Sequence, residues 1–305
     1  MSTERLVYIN GDFVTESQAT ISIFDVGLMY GVTLYESLRS FKHKWFHVDE
    51  HWARLKKSLT YAGLHDILTR QQFDDVLNET LEANIHLTEP DDDIWVNIQV
   101  TPGRSFPMPL QSGGPTTPTV LCYTAALPHK EYAKYYTRGK HVVTSLFRSP
   151  PPQSYEQRMK NRSRFPHFLS KRDAARIDPA AFALMLDTEG FIAEGTGANI
   201  FFSLDGKLHT PRTRNILVGC SRQYVIQLAK QLSIDVVEDD ITLYEAYNAE
   251  EAFWTTSSYC LLPISMIDAR PIGTHYPGPI AAQLLETWSH EVGVDIVGQA
   301  QKFAG

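Results

Sequence analysis

Gly190-Phe191-Ile192-Ala193-Glu194-Gly195-Thr196-Gly197-Ala198-Asn199-Ile200-Phe201-Phe202 is the stretch of this chain whose reading decides its fold class. Gly195-Thr196-Gly197 invites comparison with a dinucleotide loop. The third glycine of that fingerprint is missing, and the segment leads into Asn199 to Phe202. Those residues read as a strand, where dinucleotide binding needs a helix N-terminus. Phe191 to Ala193 reads as a further short strand, entered through the turn Asp187-Thr188-Glu189-Gly190. Val142 to Phe147 and Phe182 to Leu186 add strands upstream, and Asp205-Gly206 marks another turn. A helix beginning near Ser221 carries Val225, Ile226, Leu228, Ala229 and Leu232. Short strands mixed with helices, without regular βαβ alternation, predict an α+β fold rather than a doubly wound sheet.

The first third is organised differently. Leu6 to Ile9 followed by Asn10-Gly11 reads as a hairpin, since Asn-Gly suits a turn with positive φ. Asp49 is placed to cap a helix through Trp52, Leu55, Leu59 and Ala62, with Gly63 near its end. Phe73, Val76, Leu77, Leu81 and Ile85 predict a second amphipathic helix. Ile94–Val100 and Thr119–Ala125 read as strands around a Pro/Gly-rich loop from Pro102 to Pro118. The expected division is a small N-terminal domain over 1–126, a linker at 127–131, and a larger domain over 132–305.

Composition removes several function classes. The 305 residues carry 28 Lys and Arg against 35 Asp and Glu, a formal charge of −7, which argues against nucleic acid as a partner. No apolar run approaches a membrane span, and residues 1–5 lack the pattern of a signal peptide, so a cytoplasmic protein is expected. Cys122, Cys220 and Cys260 are isolated and odd in number, the pattern of reduced core thiols. His47-Val48-Asp49-Glu50-His51 matches an inverted zinc-protease string. A helix starting at Asp49 leaves His47 outside it, so no metal is expected. Neither a G-x-S-x-G elbow nor an S-x-x-K motif occurs.

Six segments, in order, resemble one family. They are Asp25-x-Gly27-x-x-Tyr30-Gly31-x-x-x-Tyr35-Glu36-x-x-Arg39, His51-x-x-Arg54-Leu55-x-x-Ser58, Lys160, Gly190-x-x-x-Glu194-Gly195-x-Gly197-x-Asn199-x-Phe201, Leu217-x-Gly219-x-x-Arg222, and Thr255-Thr256-Ser257-Ser258. Together they resemble the class IV aminotransferases, the fold-type IV pyridoxal phosphate enzymes. That group includes branched-chain and D-amino acid aminotransferases and aminodeoxychorismate lyase. The resemblance implies a small N-terminal α/β domain and a larger, mixed β-barrel-like C-terminal domain that binds the cofactor. It also implies a homodimer acting on a small-molecule amino donor and a 2-oxo acid acceptor.

Residue by residue, the resemblance implies that Lys160 forms an internal aldimine with pyridoxal 5'-phosphate and then serves as base and acid. Glu194 corresponds to the glutamate facing the pyridine nitrogen, and Arg54 to an arginine gripping the phosphate. Gly219, Cys220 and Ser221 at a helix start, with Ser257 and Ser258, correspond to the phosphate loops. Tyr30, Tyr35, Arg39 and Asn97 resemble substrate-pocket positions. Two signatures are broken. Trp95-Val96-Asn97 lacks the arginine of the branched-chain Tyr-x-Arg, and Thr101-Pro102-Gly103 lacks that of the D-amino acid enzymes. Arg104 and Arg138 are left as candidates for a substrate carboxylate. Phe165 replaces a tyrosine near the ring hydroxyl. Glu36-Ser37 stands where the lyase branch carries Thr-Thr, which favours transamination over the lyase alternative. Retention of Lys160 and Glu194 argues against a non-catalytic cofactor-binding protein.

Overall fold

The computed structural model describes residues 4–104 and 117–305. They divide into two compact units, Met1–Leu127 with Met159–Ser163, and Pro128–Arg158 with Arg164–Gly305. The lysine segment therefore groups with the first unit, whereas the sequence reading assigns it to the second.

In the first unit, β1 (Leu6–Ile9) and β2 (Asp12–Thr15) form the expected hairpin, with Asn10 at φ 51° and Gly11 at φ 105° in its turn. There follow α1 (Val26–Met29), β3 (Leu34–Phe41), β4 (Lys44–Trp45), α2 (Val48–Tyr61), α3 (Arg70–Asn84), β5 (Ile94–Arg104) and β6 (Thr117–Ala126). The strands make one antiparallel sheet in the order β2-β1-β6-β5-β3-β4. Side chains alternate between its faces. Leu34 and Leu38 of β3 and Val96, Ile98 and Val100 of β5 pack with α2 and α3 through Leu55, Leu59 and Phe73. Residues 35, 37, 97 and 99 point to the other face.

Two expectations need correction here. α2 is capped by His47 in the left-handed region, with no side-chain cap bond, and not by Asp49. Asp49 sits instead in the first turn, where a carboxylate complements the helix dipole. β5 runs through Pro102 to Arg104 and β6 begins at Thr117, so the long loop expected over 102–118 is shorter at both ends. The remainder of that loop, 105–116, lies outside the described residues. The residues expected as a linker, 127–131, span the division between the units and include the start of α4 (His129–Tyr132), which buries both His129 and Tyr132.

The second unit continues with α5 (Tyr135–Arg138), β7 (Lys140–Thr144), α6 (Phe165–Ile177), β8 (Phe182–Leu186), β9 (Ile192–Gly195), β10 (Asn199–Leu204) and β11 (Lys207–Pro211). α7 (Cys220–Gln231), β12 (Val236–Asp239), α8 (Leu243–Tyr247), β13 (Glu251–Thr256), β14 (Cys260–Ile267) and β15 (Arg270–Pro271) lead to α9 (Pro279–Val292) and α10 (Ile296–Phe303). Its nine strands form one mixed sheet in the order β12-β11-β10-β13-β14-β7-β8-β9, with β15 beside β14. The β11–β12, β14–β7 and β7–β8 pairs are parallel, and the others are antiparallel. The last strand, β9, lies back against β10 and β11, so the sheet is curled. The core is aromatic, with Phe201 and Phe253 stacked at 5.3 Å beside buried Trp254.

Candidate active site

In the first unit the chemistry gathers on the two faces of β3. Glu36 is fully buried on the helix-packed face, among Leu34, Leu38 and Leu55. Arg54 and His51 occupy one face of α2 at i, i+3 and reach it together. Arg54 binds both carboxylate oxygens, Nε at 2.7 Å from Oε1 and Nη2 at 2.6 Å from Oε2. His51 Nδ1 donates to Oε2 at 2.6 Å. Burial alone would raise the Glu36 carboxyl. The Arg54 guanidinium and His51 outweigh that and hold it down at about 2. Sequence periodicity leaves Arg54 as a surface arginine. It is instead the partner of a buried carboxylate that the pattern does not expose.

The opposite face carries Tyr35, Ser37, Asn97 and Gln99, paired across β3 and β5 as Tyr35 with Gln99 and Ser37 with Asn97. Met159–Ser163 runs beside the start of β3 because its backbone continues the ladder. Tyr35 N–H donates to the Lys160 carbonyl at 3.1 Å, and Arg162 N–H to the Thr33 carbonyl at 2.9 Å. Ser58 Oγ accepts from Lys160 N–H at 3.3 Å. This brings two cations to one ring. Lys160 Nζ lies 4.6 Å and the Arg162 guanidinium carbon 3.8 Å from the centre of Tyr35.

In the second unit the quoted Gly190–Phe202 stretch builds the other cluster. Glu194, at the end of β9, is buried. Its Oε2 accepts from Leu217 N–H at 3.0 Å and from Asn199 Nδ2 at 3.2 Å. Its Oε1 has His167 Nε2 at 3.7 Å and, among the described residues, no hydrogen-bond donor. Asn199 also donates to the Leu217 carbonyl at 2.9 Å. A Cβ on Gly219 would fall 2.2 Å from Asn199 Oδ1, so the glycine lets the loop before α7 close onto this amide. Asn199 pairs with Thr255 across β10 and β13, which sets Thr256-Ser257-Ser258 at the neighbouring strand end. Ser258 N–H donates to Thr256 Oγ1 at 3.0 Å, and the two hydroxyls are 3.0 Å apart. Gly219 caps α7 with no side-chain bond, and Cys220 and Ser221 are buried in its first turn. The first N–H groups of such a helix have no intrahelical acceptor.

The remaining expected residues fall elsewhere. Tyr30 is 63% exposed at the end of α1. Arg39 is buried four residues along β3 from Tyr35, roughly 13 Å away. Its guanidinium lies 4.1 Å over Phe41, with Nη2 3.7 Å from Asp93. Arg104 is exposed, 5.8 Å from the Phe24 ring, and Arg138 is exposed at the end of α5. Phe165 is 68% exposed and stacks on Phe168. Arg222 is a buried tie, reaching the Pro211 carbonyl at 3.0 Å and Glu238 at 2.8 Å. Among the described residues, no group of three or more His, Cys, Asp or Glu is placed to hold a metal ion, and no helix is long and apolar enough to cross a membrane. The sequence patterns carry Glu36 and Asn199 inside motifs without giving them a place in the site, and they single out neither His167 nor Arg162. The one available signal was Glu36 itself, a carboxylate in a buried strand facing a helix that spaces His51 and Arg54 by three.

A family model described as amino-transferase class IV matches residues 33–267. A Methanocaldococcus jannaschii protein assigned as a branched-chain-amino-acid aminotransferase is 34% identical over 283 residues, 92% of this chain and 94% of its own. The D-alanine aminotransferase of Bacillus licheniformis is 28% identical over 275 residues, 90% of this chain and 92% of its own. Among solved structures, the branched-chain aminotransferase of the archaeon Thermoproteus uzoniensis with norvaline is similar at a TM-score of 0.84 and 25% identity, covering 98% of this chain and 97% of that one. Another solved branched-chain amino acid aminotransferase, from T.th., holds pyridoxamine 5'-phosphate and is similar at a TM-score of 0.83 and 25% identity, covering 95% of this chain and 94% of its own.

Proposed function

The chain belongs to the class IV aminotransferase family, and from that premise we propose that it is a pyridoxal phosphate-dependent aminotransferase. It takes an amino group from an amino acid or amine and passes it to a 2-oxo acid or related carbonyl. The observation that carries the reading is Glu194. One oxygen of this buried carboxylate is held by two donors, while the other has, among the described residues, only His167 Nε2 at 3.7 Å, beyond hydrogen-bond distance. A carboxylate oxygen left in this way is matched to a charged N–H, and a protonated pyridine nitrogen is one.

The phosphate, in this reading, is held by the uncapped first turn of α7 at Gly219, Cys220 and Ser221 and by Ser257 and Ser258. Backbone N–H groups at a helix start favour an anion. The resemblance gives Arg54 a phosphate-binding role as well. Because Glu36 offsets its charge, the helix end and hydroxyls carry more of the binding than a lone arginine would require. When bound, pyridoxal phosphate supplies the aldehyde that receives nitrogen and the ring that draws electrons from the substrate. Lys160 does the proton work: Nζ takes the proton from the donor Cα and, in the reverse half, returns one to the acceptor Cα. Tyr35 lies under the amine and helps hold its direction.

The test is a single-turnover reaction. Cofactor-loaded protein is mixed with L-amino acids, D-amino acids and simple amines without an acceptor. Stoichiometric pyridoxamine phosphate and carbonyl product are expected from the true donor, and Lys160→Ala abolishes both. Equal turnover by Lys160→Ala would sink the reading. Release of pyruvate from aminodeoxychorismate without any 2-oxo acid would move the chain to the lyase branch.

A further inference from the structure

We infer that Arg162 binds the carboxylate of the amino donor and of the 2-oxo acid acceptor, an assignment that rests on the aminotransferase reading above. Most cations near this site are already committed. Within the first unit, Arg5 pairs with Glu16, Arg39 with Asp93, Arg54 with Glu36, and Arg70 with Asp49 and Asp74. Among the described residues only Arg104 and Arg162 of this unit's arginines have no carboxylate partner. Arg104 lies beside Phe24, whereas Arg162 shares the Tyr35 ring with the amine of Lys160.

Arg162 is also fixed in place. Its guanidinium carbon lies over Tyr35, 3.8 Å from the ring centre, and Nη2 donates to Asn97 Oδ1 at 2.8 Å. Asn97 is itself locked. Nδ2 donates to Ser37 Oγ at 2.7 Å, and Oδ1 accepts a second bond from Gln99 Nε2 at 2.8 Å. The network decides the amide orientation, because only the oxygen can receive both donors. One nitrogen is thus spent on positioning. Among the described residues, Nε and Nη1 have no hydrogen-bond acceptor, so the guanidinium keeps donors for an arriving anion. A planar fork held by a ring contact and a hydrogen bond loses little freedom when it binds a carboxylate.

The chemistry of the site selects the ligand. Lys160 Nζ must work at the substrate Cα, and the carboxylate of an amino acid is bonded directly to that carbon. A guanidinium over the same ring is therefore the cation to receive it. It serves both halves of the reaction, because donor and 2-oxo acid carry the carboxylate at the same position.

Arg162→Met and Arg162→Lys test this in the cofactor-loaded enzyme. Arg158→Met, an exposed arginine paired with Glu156, is the control expected to behave as wild type. Calorimetry with 4-methylpentanoate, a carboxylate with no amine to react, reads binding without turnover. Steady-state kinetics compare the active amino acid with its decarboxylated amine. In Arg162→Met we expect Kd for the carboxylate and KM for the amino acid to rise by roughly 10- to 100-fold, with kcat little changed. The amine should lose far less, and Arg162→Lys should fall between. Circular dichroism and cofactor content equal to wild type exclude misfolding, and Arg162→Lys carries the test if Arg162→Met is unfolded. An unchanged Kd and KM, or equal losses for amino acid and amine, overturns the inference. If 4-methylpentanoate binds no variant, the KM comparison decides. Failure of wild-type protein to transaminate any donor condemns the aminotransferase reading instead, so the two failures are separable.

Discussion

Glu36 shows how a single residue joins stability to the site. Its carboxyl is held at about 2 against a reference of 4.5. A depressed value stabilises the fold fully above about pH 4.5, and that contribution is lost as pH falls toward 2. The linked stabilisation is on the order of 3 kcal/mol. Glu36→Gln should lower stability by about 3 kcal/mol at pH 7, because it leaves the Arg54 guanidinium largely buried without its counter-charge. Urea titrations at pH 7 and pH 3 check this: the gap between wild type and variant should narrow in acid. Glu194 offers a second residue-scale prediction. Glu194→Gln keeps the shape and the bond from Asn199 but removes the charge facing the proposed pyridine nitrogen. Cofactor should still bind, while half-reaction rates fall by about 10- to 1000-fold. Rapid-mixing absorbance measures it, and an unchanged rate would remove Glu194 from the chemistry.

Elements differ in how much of themselves they display in sequence. α3 is readable from Phe73, Val76 and Leu77, and its start at Thr69 is a full capping box with Gln72. Thr69→Ala should cost about 1 kcal/mol, read as a shift in the urea midpoint. α6 is not readable in this way, because the face it buries consists of His167, Ser170 and Ala174. With no apolar period, the hydrophobic pattern has nothing to report. α2 begins on a left-handed histidine without a cap bond, so the rule that favours Asp49 places the start too late. The loop before α7 carries the clearest element-scale test. Gly219 has an ordinary negative φ of −68°, so alanine is permitted by the backbone. The added methyl would press on Asn199 Oδ1, which is 2.2 Å away. Gly219→Ala should therefore fold normally yet raise the cofactor Kd by about tenfold, because Asn199 holds Glu194. Fluorescence titration of the apoprotein with pyridoxal phosphate reads it out.

At the scale of the whole molecule, the family, the α+β class and the motif order were legible because each motif is local. What local motifs leave out is pairing between distant segments. Lys160 follows the boundary at Leu127 by more than thirty residues, yet its segment groups with the first unit through bonds to Thr33, Tyr35 and Ser58. Arg162 reaches Asn97, the strand position that holds an amide in place of the branched-chain arginine, from a segment sixty-five residues further on. The global charge of −7 likewise says nothing about anion binding inside a site where fixed N–H groups and guanidinium forks act at contact distance. The account turns on one lysine. Borohydride reduction of cofactor-loaded protein, followed by peptide mass mapping, places the cofactor on the chain directly. A single pyridoxyl modification is expected, on Lys160, absent in Lys160→Ala. Stable modification of another lysine, or none in protein that still transaminates, would contradict it.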